Sequence, residues 1–274
     1  MKITFIGGGT MGEAMVKCLV DQKVVSPSDI VVSDINELRR EMLSREFKVK
    51  ASADSKRAVE NADVVVLAIK PGDLAEVMET IKDSLKQQAV LSIVAGASLA
   101  TLTKGLGYPS IIRAMPNMPA QIGQGMTVWT TTAELSKEHK KIARSILSAL
   151  GKEIYFADED YINMATALSG SGPAYVFLFI EALTDAGVNI GLSCKEAQEL
   201  ALQTILGSAG MVQKVGKHPA ELRNMVTSPG GTTAAALAQL EKGGFRSSIL
   251  EAVVAAYEKA GGFRKAVKYN ESDA

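Results

Sequence analysis

The sequence has no net charge to attract a polyanion. Lys and Arg number 30 and Asp and Glu number 30, so no overall field attracts nucleic acid or an anionic membrane surface. The chain also lacks a run of about 18 uninterrupted apolar residues, the length that a membrane-spanning helix requires. Lys2 precedes apolar residues as in a signal peptide, but glycines and Glu13 interrupt that run almost at once. These absences predict a soluble cytoplasmic protein with no nucleic-acid or membrane partner.

Cysteine and histidine are scarce. The two cysteines, Cys18 and Cys194, follow no metal-ligand or redox spacing and are interpreted as thiols in a reducing compartment. The two histidines, His139 and His218, lie in polar stretches, which indicates surface positions. No Ser-His-Asp triad and no metal-ligand cluster can be assembled from these residues, so we predict no metal site.

The chain does contain a glycine-rich turn at its start. The β-branched and aromatic segment Ile3–Ile6 is followed by glycines at positions 7, 9 and 12, and then by a helical pattern from Glu13. This order is typical of a dinucleotide-binding fold: Gly7 makes the turn, Gly9 lets a pyrophosphate approach, and Gly12 packs the helix on the strand. The helix N-terminus then favours an anion. The alternative is a tight turn without a ligand.

The second predicted strand, residues 30–34, ends in the acidic residue Asp34. A carboxylate about 20 residues past the glycine turn is placed to accept hydrogen bonds from ribose hydroxyls, which favours NAD, whereas a nearby arginine favours the 2′-phosphate of NADP. Arg39 and Arg40 lie at least a helical turn away and can be interpreted as solvated, so the choice of cofactor stays open. Asp34 could instead cap the following helix, which has Glu37 three residues on.

Strand and helix patterns alternate through the first half of the chain. The apolar run 64–69 is typical of a central parallel strand covered on both faces, and it ends at Lys70 and Pro71. Because the carboxyl ends of such strands face the ligand crevice, the backbone at Lys70 is predicted to lie beside the nicotinamide. Further strands are predicted at residues 49–51, 89–94, 110–115, 125–129 and 153–156, and helices at 55–60, 73–85 and 135–150. The alternation predicts an α/β fold with a parallel sheet.

Strand signals stop near Asp158, which predicts a domain boundary there. Residues 1–157 are predicted to form a Rossmann-type dinucleotide-binding domain, and residues 158–274 an all-helical domain. After a glycine and serine kink the helix from about residue 172 is apolar on nearly every side, so it has to be buried all round. A small domain cannot easily bury such a helix alone, which predicts packing against a second subunit. Further helices are predicted at residues 195–215, 219–225, 232–241 and 247–259.

A candidate ligand-binding loop lies at residues 226–233. Its candidate binding residues are Ser228, Gly230, Gly231, Thr232 and Thr233. Hydroxyl groups and glycines at a helix start make a set of O–H and N–H donors suited to a carboxylate, although an elaborate N-cap is the alternative. Oxidation of an alcohol usually needs a base such as His or Lys, whereas a protonated C=N group accepts hydride by positioning alone. The loop therefore fits imine reduction.

Five segments together resemble the pyrroline-5-carboxylate reductases. They read GGGTMG at residues 7–12, LAIKP at 67–71, RAMPNMP at 113–119, LSGSGPAY at 168–175 and VTSPGGTT at 226–233. The last three are far more specific than the glycine fingerprint. The resemblance implies reduction of Δ1-pyrroline-5-carboxylate to L-proline with NADP(H) or NAD(H), the last step of proline biosynthesis. It also implies an N-terminal Rossmann domain and an all-helical C-terminal domain that forms a homodimer, often within a ring of dimers.

The resemblance also implies site residues. The cofactor-binding residues are Ile6, Gly7, Gly8, Gly9, Thr10, Met11, Gly12, Ser33, Asp34, Ser55, Ala68, Ile69, Lys70, Pro71, Val94, Ala95 and Gly96. Thr233 matches the threonine that hydrogen-bonds the substrate's ring nitrogen, and the loop before it would cradle the carboxylate. Two positions depart from the family: Asp34 has no adjacent arginine, and Ser55 stands where asparagine is common. Because the helical domain's substrate residues meet a partner's Rossmann domain in this family, the active site is expected to need the dimer.

Two other functions fit parts of the sequence. A β-hydroxyacid dehydrogenase also begins with a GxGxMG turn and has a helical C-terminal domain. It needs a catalytic lysine on the long helix after the boundary, and residues 171–189 contain none. A nicotinamide-nucleotide-binding protein without catalysis is the other alternative, and the intact loop around Thr233 argues against it.

Overall fold

The computed structural model describes residues 1–261, and the chain forms two compact units. The first contains Met1–Ser171 together with the segment from Tyr257, and the second contains Gly172–Ala256. The units therefore divide at residue 171, a short helix beyond the acidic stretch at Asp158. The predicted domain boundary between residues 157 and 158 stays a prediction.

The first unit is built on one eight-stranded sheet in the order β3-β2-β1-β4-β5-β6-β7-β8. The strands are β1 (Ile3–Ile6), β2 (Ile30–Ser33), β3 (Lys50–Ser52), β4 (Val64–Leu67), β5 (Ala89–Ser92), β6 (Ile111–Met115), β7 (Gly125–Thr131) and β8 (Gly151–Tyr155). The first six strands in chain order pair in parallel, so their carboxyl ends meet at one edge. The chain passes from β3, at one side of the sheet, to β4, on the other side of β1. This reversal creates the switch point at which open α/β sheets bind ligands.

The sheet carries an apolar core on each face. Along β4, Val64 and Val66 belong to one buried cluster, whereas Val65 and Leu67 belong to the other. Successive strand residues point to opposite faces, so a continuous apolar run is what a strand covered on both sides requires. The prediction of a buried central strand is confirmed. The strand ends two residues before the predicted limit of 69, since its partner β1 turns away at Gly7.

Helices cover the sheet. Those of the first unit are α1 (Thr10–Asp21), α2 (Glu37–Phe47), α3 (Ser55–Val59), α4 (Leu74–Ile81), α5 (Leu99–Leu106), α6 (Lys137–Ser148) and α7 (Asp160–Ala165). Sequence reasoning missed α5, although its boundaries carry ordinary signals. Ser98 caps its start by accepting a hydrogen bond from the Thr101 N–H, and Gly107 ends it with φ +58°.

Strand β7 departs from the parallel arrangement that was predicted for the sheet. It pairs antiparallel to β6, while β8 returns parallel to β7. The connection from β6 to β7 holds only the 3₁₀ turn Met118–Ile122. A parallel pair needs a crossover of a dozen or more residues, whereas this short connection lets the chain turn back beside β6.

The rest of the described chain is helical. After a π-helical turn at Thr166–Gly170, which is where the sequence predicted a kink, come α8 (Gly172–Asn189), α9 (Cys194–Val215), α10 (Pro219–Met225), α11 (Thr232–Lys242) and α12 (Phe245–Lys259). Within the second unit α8 packs closely on α9, since a Cβ on Gly187 would lie 2.8 Å from the Ala197 Cβ. Every predicted helix of this half is confirmed.

Helix α8 leaves its apolar side chains uncovered. Within the part of the chain that the structure describes, none of its residues is buried. Phe177 and Leu178 are 50% and 66% exposed, so the predicted burial of this helix is not achieved within one chain. By length and composition alone, the helical stretch Asp160–Asn189 could also cross a membrane. An apolar surface of this extent needs something to cover it.

Candidate active site

The turn after β1 has the geometry that a glycine fingerprint predicts. Gly7 has φ +99°, and a Cβ there would lie 2.8 Å from the Ala68 carbonyl carbon and 2.9 Å from Ile69 Cγ2. The Gly7 N–H donates to the Ser33 carbonyl oxygen at 2.7 Å, which holds the turn against the end of β2. Only glycine combines this backbone conformation with so close an approach.

Helix α1 begins at this turn with its first N–H groups available to a ligand. Gly9 is the N-cap residue, and no side chain of residues 1–261 caps the helix there. Gly9 is exposed, and a Cβ on it would have no described atom within 4 Å. Gly12 packs as predicted, since a Cβ on it would lie 2.5 Å from the Gly7 carbonyl oxygen. An open helix N-terminus at the carboxyl edge of a parallel sheet fits a dinucleotide pyrophosphate.

Asp34 follows β2 and reaches back to the glycine turn. Its Oδ2 accepts a hydrogen bond from the Gly8 N–H at 2.7 Å, and its Oδ1 accepts one from the Asn36 N–H at 2.8 Å. The alternative that Asp34 caps α2 is wrong, because Asn36 is the N-cap and accepts from the Arg39 N–H at 3.3 Å. Asp34 thus binds the glycine turn through one carboxylate oxygen and the N–H of Asn36 through the other.

Two arginines interpreted as solvated are instead held beside this turn. Arg39 Nε donates to the Gly8 carbonyl oxygen at 2.9 Å, and its Nη2 donates to Glu13 Oε2 at 2.7 Å. Arg40 Nη1 donates to the carbonyl oxygens of Asp34, at 2.8 Å, and of Ile35, at 3.1 Å. Arg39 thus binds the backbone of the glycine turn, and Arg40 binds the backbone between β2 and α2. Periodicity in the sequence indicates neither contact.

The predicted nicotinamide side lies at the ends of β4 and β5. The Ala68 N–H donates to the Ile6 carbonyl oxygen at 2.9 Å, which places residues 68–71 next to the glycine turn. Lys70 is exposed. Val94 is buried in the core, and its N–H donates to Ser92 Oγ at 3.2 Å. Of the predicted residues here, Ala95 and Gly96 are the exposed ones after β5.

A cavity of about 290 Å³ opens within the first unit at the carboxyl ends of β5 and β6. Its lining includes Val94, Ala95, Gly96, Arg113, Met115, Asn163 and Thr166. Three of the predicted cofactor residues therefore share one cavity with residues that were not assigned a role.

Arg113 lines this cavity, and no function was predicted for it from the sequence. Its side chain is 8% exposed, and its Nη1 donates to Glu159 Oε1 at 2.6 Å. The same carboxylate oxygen accepts from the Leu99 N–H at 2.7 Å, while Arg113 Nη2 reaches Asn163 Oδ1 at 3.3 Å. This network ties β6 to α5 and α7. An arginine inside the apolar strand 111–115 was the available signal.

The second unit holds the loop that precedes α11. Gly230 has φ +71°, and the Gly231 N–H donates to the Ser228 carbonyl oxygen at 3.1 Å. Gly231 is the N-cap of α11, and no side chain among the described residues caps this helix start. The alternative interpretation of this loop as an elaborate N-cap is therefore wrong, because none of its hydroxyl groups caps α11. Thr232 is exposed and Thr233 is half-buried, at a helix N-terminus that suits a small anion.

The parallel sheet, its switch point and the open glycine turn define a Rossmann-type dinucleotide-binding protein. Residues 2–96 match the family described as "NADP oxidoreductase coenzyme F420-dependent", and residues 159–262 match "Pyrroline-5-carboxylate reductase dimerisation". The chain is 42% identical to the pyrroline-5-carboxylate reductase of Synechocystis sp. over 95% of its length and 97% of the relative's. It is 40% identical to that of Escherichia coli, over 94% of its own length and 97% of the relative's.

Solved structures of pyrroline-5-carboxylate reductases have the same fold as this chain. A pyrroline-5-carboxylate reductase from Coxiella burnetii superposes with a TM-score of 0.88 at 38% identity, covering 95% of this chain and 97% of that one. The Plasmodium falciparum pyrroline carboxylate reductase with NADP bound gives a TM-score of 0.87 at 32% identity, with the same coverage. The chain belongs to the pyrroline-5-carboxylate reductase family.

Proposed function

We propose that the protein reduces the C=N bond of Δ1-pyrroline-5-carboxylate to give L-proline, with NAD(P)H as the reductant. The observation that carries this proposal is identity of about 40% to enzymes of that name over nearly the whole chain. The β-hydroxyacid dehydrogenase and the non-catalytic binding protein are not favoured by these relatives.

The first unit would hold the cofactor. The uncapped start of α1 and the turn at residues 7–9 suit the pyrophosphate, and Asp34 suits the adenosine ribose. Residues 68–71 and the exposed pair Ala95 and Gly96 would flank the nicotinamide. When bound, the reduced nicotinamide supplies a hydride.

The second unit would hold the substrate by its carboxylate and its ring nitrogen. The loop of Ser228, Gly230, Gly231 and Thr232 presents N–H and O–H donors at the uncapped start of α11. Thr233 would hydrogen-bond the ring nitrogen and fix the orientation of the C=N bond. The hydride adds to the carbon of the protonated C=N group, and the π electron pair becomes the lone pair of the proline nitrogen. No side chain has to remove a proton, which agrees with the scarcity of histidine.

The proposal includes a homodimer in the cytoplasm. The exposed apolar surface of α8 lies within the segment that matches the dimerisation family. Covering that surface with a second copy accounts for a helix that is apolar on nearly every side without placing it in a membrane. A ring of dimers is the larger assembly that the resemblance implies.

The test is oxidation of NADPH and of NADH by the purified protein, followed at steady state with and without pyrroline-5-carboxylate. We expect oxidation that depends on the substrate and forms proline in equal amount. A folded dimer that turns over neither cofactor would overturn the reductase proposal and favour one of the two alternatives.

A further inference from the structure

We infer that the adenosine end of the cofactor site selects a nucleotide without a 2′-phosphate, so that NADH binds more tightly than NADPH, and that Asp34 sets this choice. The inference deepens the proposed function, because it rests on a nicotinamide nucleotide binding at the glycine turn. It does not depend on the substrate.

The Asp34 carboxylate is fixed in place from two sides. The N–H of Gly8, in the glycine turn, holds Oδ2 at 2.7 Å, and the N–H of Asn36, at the cap of α2, holds Oδ1 at 2.8 Å. Each carboxylate oxygen accepts more than one hydrogen bond, so both keep acceptor capacity for the hydroxyls of a ribose. A phosphate at the same position brings negative charge and no donor, and a fixed carboxylate repels it.

The neighbouring arginines are already engaged with the protein. Arg39 is paired with Glu13 at 2.7 Å and also donates to the Gly8 carbonyl oxygen, and the two charged side chains are about equally exposed, 31% and 32%. Arg40 binds the carbonyl oxygens of Asp34 and Ile35 through Nη1. Asp34, Glu13, Arg39 and Arg40 together carry no net charge. These four side chains therefore supply no surplus of positive charge for a 2′-phosphate.

The hydroxyl groups near the end of β2 are also paired with each other. Ser33 Oγ lies 2.9 Å from Ser55 Oγ, and Ser33 is buried. A hydroxyl in that position contributes to joining β2 and α3.

The experiment is calorimetric titration of the full chain with NADH and NADPH, without substrate. We expect NADH to bind at least about tenfold more tightly. Asp34→Asn removes the charge and keeps the size, and it should reduce the NADH to NADPH affinity ratio by roughly fivefold or more. The matched control Glu37→Gln removes a charge from the exposed first turn of α2 and should leave the ratio unchanged.

Competition with fragments needs no variant. ADP-ribose should displace NADH from the natural chain at lower concentration than its 2′-phosphorylated form does. Equal affinity for NADH and NADPH, or tighter binding of NADPH, would overturn the selectivity. An unchanged affinity ratio in a folded Asp34→Asn variant would overturn the role of Asp34. Because these measurements omit pyrroline-5-carboxylate, selective binding without turnover would support the inference and count only against the proposed reductase.

Discussion

At the scale of single residues, Gly7 is the position where the fold and the site depend on one hydrogen atom in place of a side chain. Gly7→Ala would place a methyl group 2.8 Å from the Ala68 carbonyl carbon, in a backbone conformation that L-residues rarely adopt. We expect the free energy of unfolding to fall by about 2–4 kcal/mol. Affinity for NADH should fall with it, because relieving the clash moves the turn.

Denaturant unfolding and NADH titration measure these two effects. Gly72→Ala is the matched control, since Gly72 has no positive φ and a Cβ there meets no described atom within 4 Å. A Gly7→Ala variant as stable as the control would contradict the argument from close approach.

Thr233 is the residue on which the proposed chemistry depends most. Thr233→Ala removes the hydroxyl assigned to the ring nitrogen, and we expect turnover to fall by about 10²-fold, the usual effect of losing one positioned hydrogen bond in a transition state. NADH affinity and the melting temperature should stay close to those of the natural chain. Steady-state kinetics, NADH titration and thermal unfolding test the three statements.

Thr204 supplies the control for Thr233. It lies on α9, and its hydroxyl donates to the Leu200 carbonyl oxygen, so Thr204→Ala removes a threonine hydroxyl that binds the backbone of its own helix. That variant should keep its turnover. Full turnover by Thr233→Ala would remove Thr233 from the mechanism.

At the scale of elements, the start of α9 carries a pH dependence with a definite sign. Ser193 and Glu196 form a capping box, and the hydrogen bonds from Ser193 lower the pKa of Glu196 from its ordinary value near 4.5. A lowered pKa in the folded state stabilises the fold above the unfolded pKa, and this contribution is lost as the pH falls through the folded value. The melting-temperature difference between the natural chain and Glu196→Gln should therefore be larger near neutral pH than in acid.

Thermal unfolding over a series of pH values measures that difference. Glu199→Gln changes an exposed carboxylate of the same helix that lies outside the capping box. Its effect on the melting temperature should not increase from acid to neutral pH in this way. A Glu196→Gln effect that is constant from acid to neutral pH would contradict the role of the carboxylate charge.

At the scale of the whole molecule, the exposed face of α8 decides the state of assembly. Leu178 is 66% exposed in the single chain, and Leu178→Glu would place a charge in the proposed dimer interface. We expect the dimer dissociation constant of the variant to rise by at least about tenfold. Light scattering coupled to size-exclusion chromatography measures this shift.

Ile122→Glu is the control for Leu178→Glu. Ile122 is 72% exposed in a 3₁₀ turn of the first unit, so it carries the same kind of change outside the dimerisation segment. That variant should remain a dimer. A Leu178→Glu protein that stays dimeric at low concentration would place the interface elsewhere.

Most of the architecture could be predicted because its signals are local. The strands were predicted from short apolar runs such as 64–69, and the glycine turn from the spacing of Gly7, Gly9 and Gly12. Helix α5 was missed because a helix of two turns carries little periodicity, even with a capping serine and a terminal glycine. Capping by Asn36 instead of Asp34 was missed because either residue type can accept the same hydrogen bond.

Local patterns in the chain were enough to predict the alternating strands and helices, the glycine turn and a candidate donor loop at Thr233, since each depends on residues close together in sequence. Three-dimensional packing alone settled the antiparallel direction of β7, the contact of Arg39 with the glycine turn, and the network of Arg113 with Glu159. These features join residues far apart in the chain or depend on the direction of a long side chain. Neither property leaves a periodic trace in the sequence.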